Sequence, residues 1–228
     1  MRKSSLIILT RNEIHGLRTL IAAIPTRGVT ECFAVDYRST DGTVELFKKN
    51  KIRVIHQDTP GRGEAFRLAA EAATGDDLIF FSPDGNEDPA DIPRLLRCLH
   101  RGNDLVIASR FMKGSKNEED DQPIKFRAWA NRLFTLIANL CFHGHVTDSI
   151  NGYRAITKTA FNSLHLTAGG FALEYQMTIR SLKLGYKIVE FPTRESPRIG
   201  GQSTAYAIPT GLKVLSLLIR EILIGTQF

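Results

Sequence analysis

The chain has 228 residues, 43% of them hydrophobic, with three cysteines and a formal charge of +6. That length suits one α/β domain, or one domain with an appendage, and the hydrophobic share is ordinary for a globular core. No uncharged apolar run reaches the ~18 residues of a transmembrane helix, and the short run Leu6-Ile7-Ile8-Leu9 is too brief for a signal-peptide core, so it reads as a first strand. Cys32, Cys98 and Cys141 lie apart, without metal spacing, as expected of a reducing cytoplasm. The positive charge favours anionic partners (nucleotides, phospholipid surfaces or nucleic acid) without choosing among them.

The pattern predicts strands at 5–10, 32–36, 52–56, 78–81 and 104–109, alternating with helices at 13–24, 39–50 (capped by Ser39-Thr40-Asp41-Gly42, with Asp41 early in it), 63–73 and 89–100. Strands alternating with helices of about ten to twelve residues imply a parallel sheet with right-handed crossovers. The first 110 residues therefore read as a nucleotide-binding type of α/β half. The remainder is less regular. Residues 113–123, with four acids in a row at 118–121, read as a solvated, mobile loop. Helices are expected at 126–142 and 171–184, and short strands at 152–156 and 187–191. Residues 192–204 form an arginine- and glycine-bearing loop. The tail, 208–228, is an amphipathic helix with Leu212, Leu215, Ile219 and Ile222 on one face. Core packing, dimerisation and a membrane interface all fit it.

The stretch 78–89 holds the densest chemistry. Leu78-Ile79-Phe80-Phe81 reads as a strand buried on both faces, broken by Ser82-Pro83-Asp84-Gly85-Asn86. It delivers Ser82, Asp84 and Asn86 to the carboxyl edge of the sheet, where open α/β folds bind ligands. Alternating oxygens suit a hard divalent cation arriving with phosphates; an ordinary Asx-rich turn fits these residues equally. Thr10, Asn12 and Glu13 follow the first strand, Asp36 ends the second, Arg62 stands in Gly61-Arg62-Gly63 after the third, and Arg110 follows the fifth. Polar groups converging from several strand ends mark a site more strongly than any one does. Arg110, Arg127, Arg154, Arg194 and Arg198 could fork onto phosphate oxygens. His143 and His145 are too isolated to argue for a metal, and no Walker, nucleophile-elbow or dinucleotide fingerprint occurs.

Taken in order, these pieces resemble the family 2 glycosyltransferases of GT-A fold, in the dolichol-phosphate mannosyltransferase-like branch. Leu9-Thr10-Arg11-Asn12-Glu13 is similar to the family's opening Pro-Thr-Tyr-Asn-Glu, and Val35-Asp36-Tyr37-Arg38-Ser39-Thr40-Asp41-Gly42-Thr43 to its Val-Asp-Asp-Gly-Ser-Thr-Asp-Gly-Thr. Ser82-Pro83-Asp84-Gly85-Asn86 stands at its metal-binding Asp-Ala-Asp-Leu-Gln. Ser109-Arg110-Phe111, Arg127 with Asn131, Asp148 to Arg154, Phe171 to Glu174, Glu190-Phe191-Pro192 and the loop Arg198 to Ser203 match further landmarks in order. The resemblance implies a GT-A domain over 1–204 (nucleotide half 1–110, acceptor half 111–204), with the amphipathic helix 205–228 appended. It implies a nucleotide site at Thr10, Asn12, Glu13, Asp36 and Arg62, Mg²⁺ or Mn²⁺ at Asp84 and Asn86, and catalytic roles for Asp84, Arg110 and Asp148. Arg127, Asn131, Arg198 and Ser203 would hold the acceptor phosphate. The implied reaction is an inverting transfer from a nucleotide-diphosphate sugar to a polyprenyl phosphate, by a peripheral enzyme on the cytoplasmic membrane face, with no nucleic acid. A homodimer or a membrane-anchored partner subunit is compatible with it. Asp148 would serve as base if the acceptor were instead a sugar hydroxyl. Two departures stand out: Ser82 replaces the first metal-site aspartate and Tyr37 the second aspartate of Val-Asp-Asp. They leave open a catalytically inactive nucleotide-sugar-binding subunit. A nucleotidyltransferase fits less well, since no Gly-rich Arg-Lys loop follows the first strand.

Overall fold

The computed structural model describes residues 2–120, 125–200 and 207–228. Seven strands form one sheet: β1 (Ser4–Thr10), β2 (Glu31–Asp36), β3 (Arg53–His56), β4 (Asp77–Phe81), β5 (Leu105–Ser109), β6 (Arg154–Thr157) and β7 (Ile188–Pro192), in the order β3-β2-β1-β4-β6-β5-β7. Helices α1 (Ile14–Leu20), α2 (Thr43–Lys49), α3 (Arg62–Ala72), α4 (Ile92–His100), α5 (Phe126–Phe142), α6 (Lys158–Ser163), α7 (Ala172–Lys183) and α8 (Ala207–Ile224) flank it.

Successive side chains of β1 point to opposite faces, so one strand feeds two cores. Ile7 and Leu9 join Phe33, Phe66, Phe80 and Ile156 under α3, α6, α7 and α8. Leu6 and Ile8 join Phe47, Ile79, Phe81, Leu95 and Leu99 under α1, α2 and α4. Phe66 stacks on Phe80 with ring centroids 4.0 Å apart; a fully buried side chain of this kind contributes about 1.5–3 kcal/mol. β4 is buried along its length, as its unbroken apolar run predicts.

The sheet is mostly rather than wholly parallel. β6 runs antiparallel between β4 and β5, pairing Ile79 with Ala155 and Val106 with Ala155. After β5 the chain stays at the carboxyl edge, forms α5 there and re-enters the sheet from that same edge. No crossover precedes β6, so its direction reverses. The mostly parallel sheet expected of the fold thus carries one antiparallel strand, β6, between β4 and β5, and α6 is an element the pattern did not predict. Residues 113–120 also depart from the solvated-loop reading: Asn117 and Glu119 are buried.

α8 has two apolar faces. Val214, Leu217 and Leu218 enter the core, while Leu212, Leu215, Ile219, Ile222 and Leu223 stay exposed. Glu221, fully buried, anchors the helix to α7 by accepting from Arg180 Nε at 2.9 Å and pairing with Lys183 Nζ at 2.8 Å. α5 likewise exposes Phe126, Trp129, Leu133, Leu136 and Leu140, which recur at helical spacing on one face. Among the described residues, no helix is long and apolar enough to cross a membrane.

Candidate functional site

β1 pairs on one side with β2 and on the other with β4, so the residues following these strands share one edge. At the end of β2, Asp36 is fully buried and accepts from Thr10 Oγ1 at 3.0 Å and from the Ser39 amide at 2.9 Å. Ser39 Oγ accepts from the Asn12 amide at 2.8 Å, and Asn12 Oδ1 accepts from the Thr40 amide at 2.9 Å. Asn12 sits at φ +55°, a left-handed conformation that asparagine tolerates. Thr10, Asn12 and Asp36 are thus brought together, with Asp36 committed to holding the loop and Asn12 exposed at its rim. Beside them the Tyr37 ring lies 5.1 Å from the Arg11 guanidinium carbon and 6.0 Å from that of Arg38.

The turn after β4 is the centre of the edge. Asp84 Oδ1 accepts from the Asn86 amide at 3.1 Å, and Asp84 Oδ2 accepts from Arg198 Nη1 at 2.8 Å. The other terminal nitrogen of Arg198 donates to Glu13 Oε1, so one guanidinium stands between two carboxylates from different strand ends. Arg198 Nε donates to Gly200 O at 2.8 Å, and the Ile199 amide to Asp84 O at 2.8 Å. Gly85 permits this approach: it sits at φ +100°, and a Cβ there would lie 2.5 Å from Ile199 Cγ1. On the other side α1 presses on the turn through Gly16, where a Cβ would lie 2.0 Å from Pro83 O.

Burial pushes the Glu13 carboxyl up to about 7, with Asp84 adding to the rise and Arg198 opposing it. Burial also raises Asp84, again against Arg198. Glu87, which accepts from the Ser82 amide at 2.7 Å, is held well above its ordinary value by burial and then by Asp84. Ser82 itself accepts from Arg62 Nη1 at 3.2 Å, and Arg62 is fixed by Glu174 through its Nε.

Further along the edge, Asn86 Nδ2 donates to Glu118 Oε2 at 2.9 Å and to Ser196 O at 2.8 Å. Glu118 and Glu119 both hold Arg127, Glu119 at 2.7 Å from Nε, and Glu119 accepts from the Ala128 amide at 2.9 Å, tying down the start of α5. Asn131 lies half-buried one turn beyond. Arg110 forks onto Asp148 at 2.7 and 2.9 Å and lies 3.6 Å from Glu195. Asp148 is fully buried and also accepts from the amides of Arg110 and Asn151, each at 3.1 Å. Its oxygens are occupied as an anchor for Arg110, which leaves the general-base role without support in this geometry.

Arg154 is fully buried and donates to backbone carbonyls, including Glu174 O at 2.9 Å; burial lowers it to about 10. It holds β6 to α7 and is not presented to a ligand, whereas Arg194 is exposed. Ser203 lies outside the described residues. The pattern of the sequence missed Glu87, Glu118, Glu119 and Glu195. For Glu118 and Glu119 the legible signal was the acidic run shortly before Arg127; Glu87 and Glu195 carried none.

Arg62, Arg110, Arg127 and Arg198 therefore each rest on carboxylates, so an incoming anion competes with acids already in place. Among the described residues, no three His, Cys, Asp or Glu side chains gather as a metal site. The donors around Asp84 are nonetheless hard oxygens, from two carboxylates and the Asn86 amide, and a guanidinium stands between the carboxylates as a surrogate cation. That set fits Mg²⁺ or Mn²⁺ completed by phosphates and water.

Comparison with known proteins places the chain in a family. The family model described as Glycosyl transferase family 2 matches residues 5–164. The chain is 32% identical over 200 residues to Glycosyltransferase AglJ of Haloferax volcanii, covering 86% of this chain and 63% of that one. It is 32% identical over 211 residues to the undecaprenyl-phosphate mannosyltransferase of Micrococcus luteus, covering 86% and 85%. Among solved structures, glucosyl-3-phosphoglycerate synthase of Mycobacterium tuberculosis, in complex with Mn²⁺, UDP and phosphoglyceric acid, superposes with a TM-score of 0.77. At 22% identity, covering 97% of this chain and 78% of that one, it establishes the shared fold. The family model spans most of the chain and carries the β1, β2 and β4 strand ends that build the site: this chain belongs to glycosyl transferase family 2.

Proposed function

We propose that the chain transfers a sugar, with inversion, from a nucleoside-diphosphate sugar to a polyprenyl phosphate at the cytoplasmic face of a membrane. The observation that carries this reading is the edge itself. Asp84, Glu13 and Asn86 gather around a cation position, and Arg127, one residue into α5, reaches that position through Glu118 and Asn86. The exposed apolar face of α5 begins at Phe126 and Trp129, beside that arginine. A phosphate and a hydrocarbon chain are thereby offered neighbouring surfaces. The name of the Micrococcus luteus relative supports the same acceptor class.

In this mechanism Thr10, Asn12 and Asp36 shape the nucleotide loop, and Arg62 and Arg110 face the phosphates from positions fixed by Glu174 and Asp148. A phosphate oxygen of the acceptor attacks the anomeric carbon as the bond to the diphosphate breaks, and the diphosphate leaves with the electron pair. That oxygen is already anionic, so no strong base is needed. Arg127 and Arg198 orient it once they leave their carboxylates. A divalent cation held by Asp84 and Asn86 supplies neutralisation of the charge growing on the leaving diphosphate.

Thermal unfolding with UDP, GDP and other nucleoside diphosphates, with and without Mg²⁺ or Mn²⁺, tests the donor half. Binding to the folded state raises the Tm by mass action. One base should raise Tm only with metal, and Asp84→Ala should abolish the shift. Absence of any shift would contradict a donor site here, whereas a shift without sugar transfer would favour the inactive-subunit reading that Ser82 and Tyr37 raise.

A further inference from the structure

Resting on the transferase reading, we propose that Glu13 is the second carboxylate of the cation site, and that Arg198 is the site's resident cation until a metal and a diphosphate displace it. Two residues before Asp84 the chain has Ser82, which brings no negative charge. The Ser82 hydroxyl is turned to Arg62, which Glu174 holds in place, so the β4 end contributes Asp84 alone as a carboxylate facing Arg198. The missing negative charge is supplied from the neighbouring strand. Glu13, directly after the β1 loop, grips the same guanidinium from the other side.

Every nitrogen of that guanidinium is engaged: one terminal nitrogen on Asp84, the other on Glu13, and Nε on Gly200 O. The segment carrying it is pinned as well. The Ile199 amide donates to Asp84 O, and the Ser196 amide to Asn86 O at 3.2 Å. Arg198 is thus a tethered cation of single charge seated between the two carboxylates. A free divalent ion must compete with it, and metal alone should bind poorly. A metal arriving with a diphosphate changes the balance, because the diphosphate gives the displaced guanidinium a new anion. Metal entry and the delivery of Arg198 to phosphate then become one exchange rather than two independent events. Asn86, whose side-chain nitrogen is committed to Glu118 and Ser196 O, has only its side-chain oxygen left to offer a metal.

The test uses the full chain and Mn²⁺ alone, following the free-ion signal by electron paramagnetic resonance, with circular dichroism and Tm as fold controls. The wild type should bind Mn²⁺ weakly. Arg198→Ala and Arg198→Gln should each tighten Mn²⁺ by about tenfold or more, the scale on which a site's immediate partners act on affinity. Adding Glu13→Gln to Arg198→Ala should remove most of that gain. If neither Arg198 variant changes Mn²⁺ affinity, or if the gain survives Glu13→Gln, Glu13 and Arg198 form only a structural latch and the proposal is overturned. The two readings fail separately. Nucleoside diphosphates that give no thermal shift, with Mn²⁺ still responding to both residues, sink the transferase reading alone. A metal-dependent nucleotide shift with Mn²⁺ indifferent to both sinks the exchange alone.

Discussion

Asp148 shows how a residue's environment decides its role. It has the residue type of a general base, yet it is fully buried, and two side-chain nitrogens and three amides donate to it. Removing one member of a buried ion pair strands the other, at a cost of about 3–5 kcal/mol. Asp148→Ala should therefore lower the urea midpoint by an amount on that scale and leave Arg110 without its fork. An unchanged midpoint would contradict the anchoring role. Asp84, Asn86 and Arg198 stood out in the sequence because of the strand-to-turn boundary and the arginine set just before Gly200-Gly201. The pairing of Glu13 with Arg198 was not, since 185 residues separate them and only the closed sheet edge makes them neighbours. Glu118 and Glu119 misled for a related reason. Four acids in a row look solvated until Arg127 and the start of α5 are seen to need them.

At the scale of elements, strand and helix positions in the first half followed from apolar runs and their breakers, because local pattern and tertiary burial agree there. β6 was expected as a short strand at 152–156, but its antiparallel direction was not legible, because it depends on the path the chain takes through α5, which no local pattern encodes. α8 was legible as amphipathic, but the face first read from it, Leu212 to Ile222, turned out to be the exposed one. A single buried acid, Glu221, fixes the other face. Burial alone raises its pKa, but hydrogen bonds from Arg180, Gln176 and Lys183 outweigh that and hold it below the ordinary 4.5. The unfolded chain then binds more protons than the folded one as pH falls. The stability Glu221 contributes is thus present above 4.5 and is lost as pH drops through its folded value. Urea unfolding at pH 7 and at pH 3.5 should show that Glu221→Gln destabilises strongly at pH 7 and far less in acid. An equal loss at both values would contradict the assignment.

Across the whole molecule, α5 and α8 both leave an apolar face uncovered, on a protein of formal charge +6. Apolar insertion combined with a positive surface is how peripheral proteins hold anionic bilayers. Flotation with anionic liposomes should recover the wild type, while Trp129→Glu with Leu136→Glu should abolish recovery. Both positions are exposed, Trp129 by 57% and Leu136 by 54%, so each change should alter folding stability by no more than about 0.5 kcal/mol. Flotation that persists in the double variant would remove α5 from the membrane face. Sugar transfer to a lipid phosphate can be followed directly. Purified protein is incubated with labelled nucleoside-diphosphate sugars, a polyprenyl phosphate in vesicles, and Mg²⁺ or Mn²⁺, and the organic phase is counted. Label from one donor should enter the lipid phase with matching release of nucleoside diphosphate, and Asp84→Ala should abolish both. A donor that binds with metal yet leaves no label in lipid would contradict transfer to a lipid phosphate.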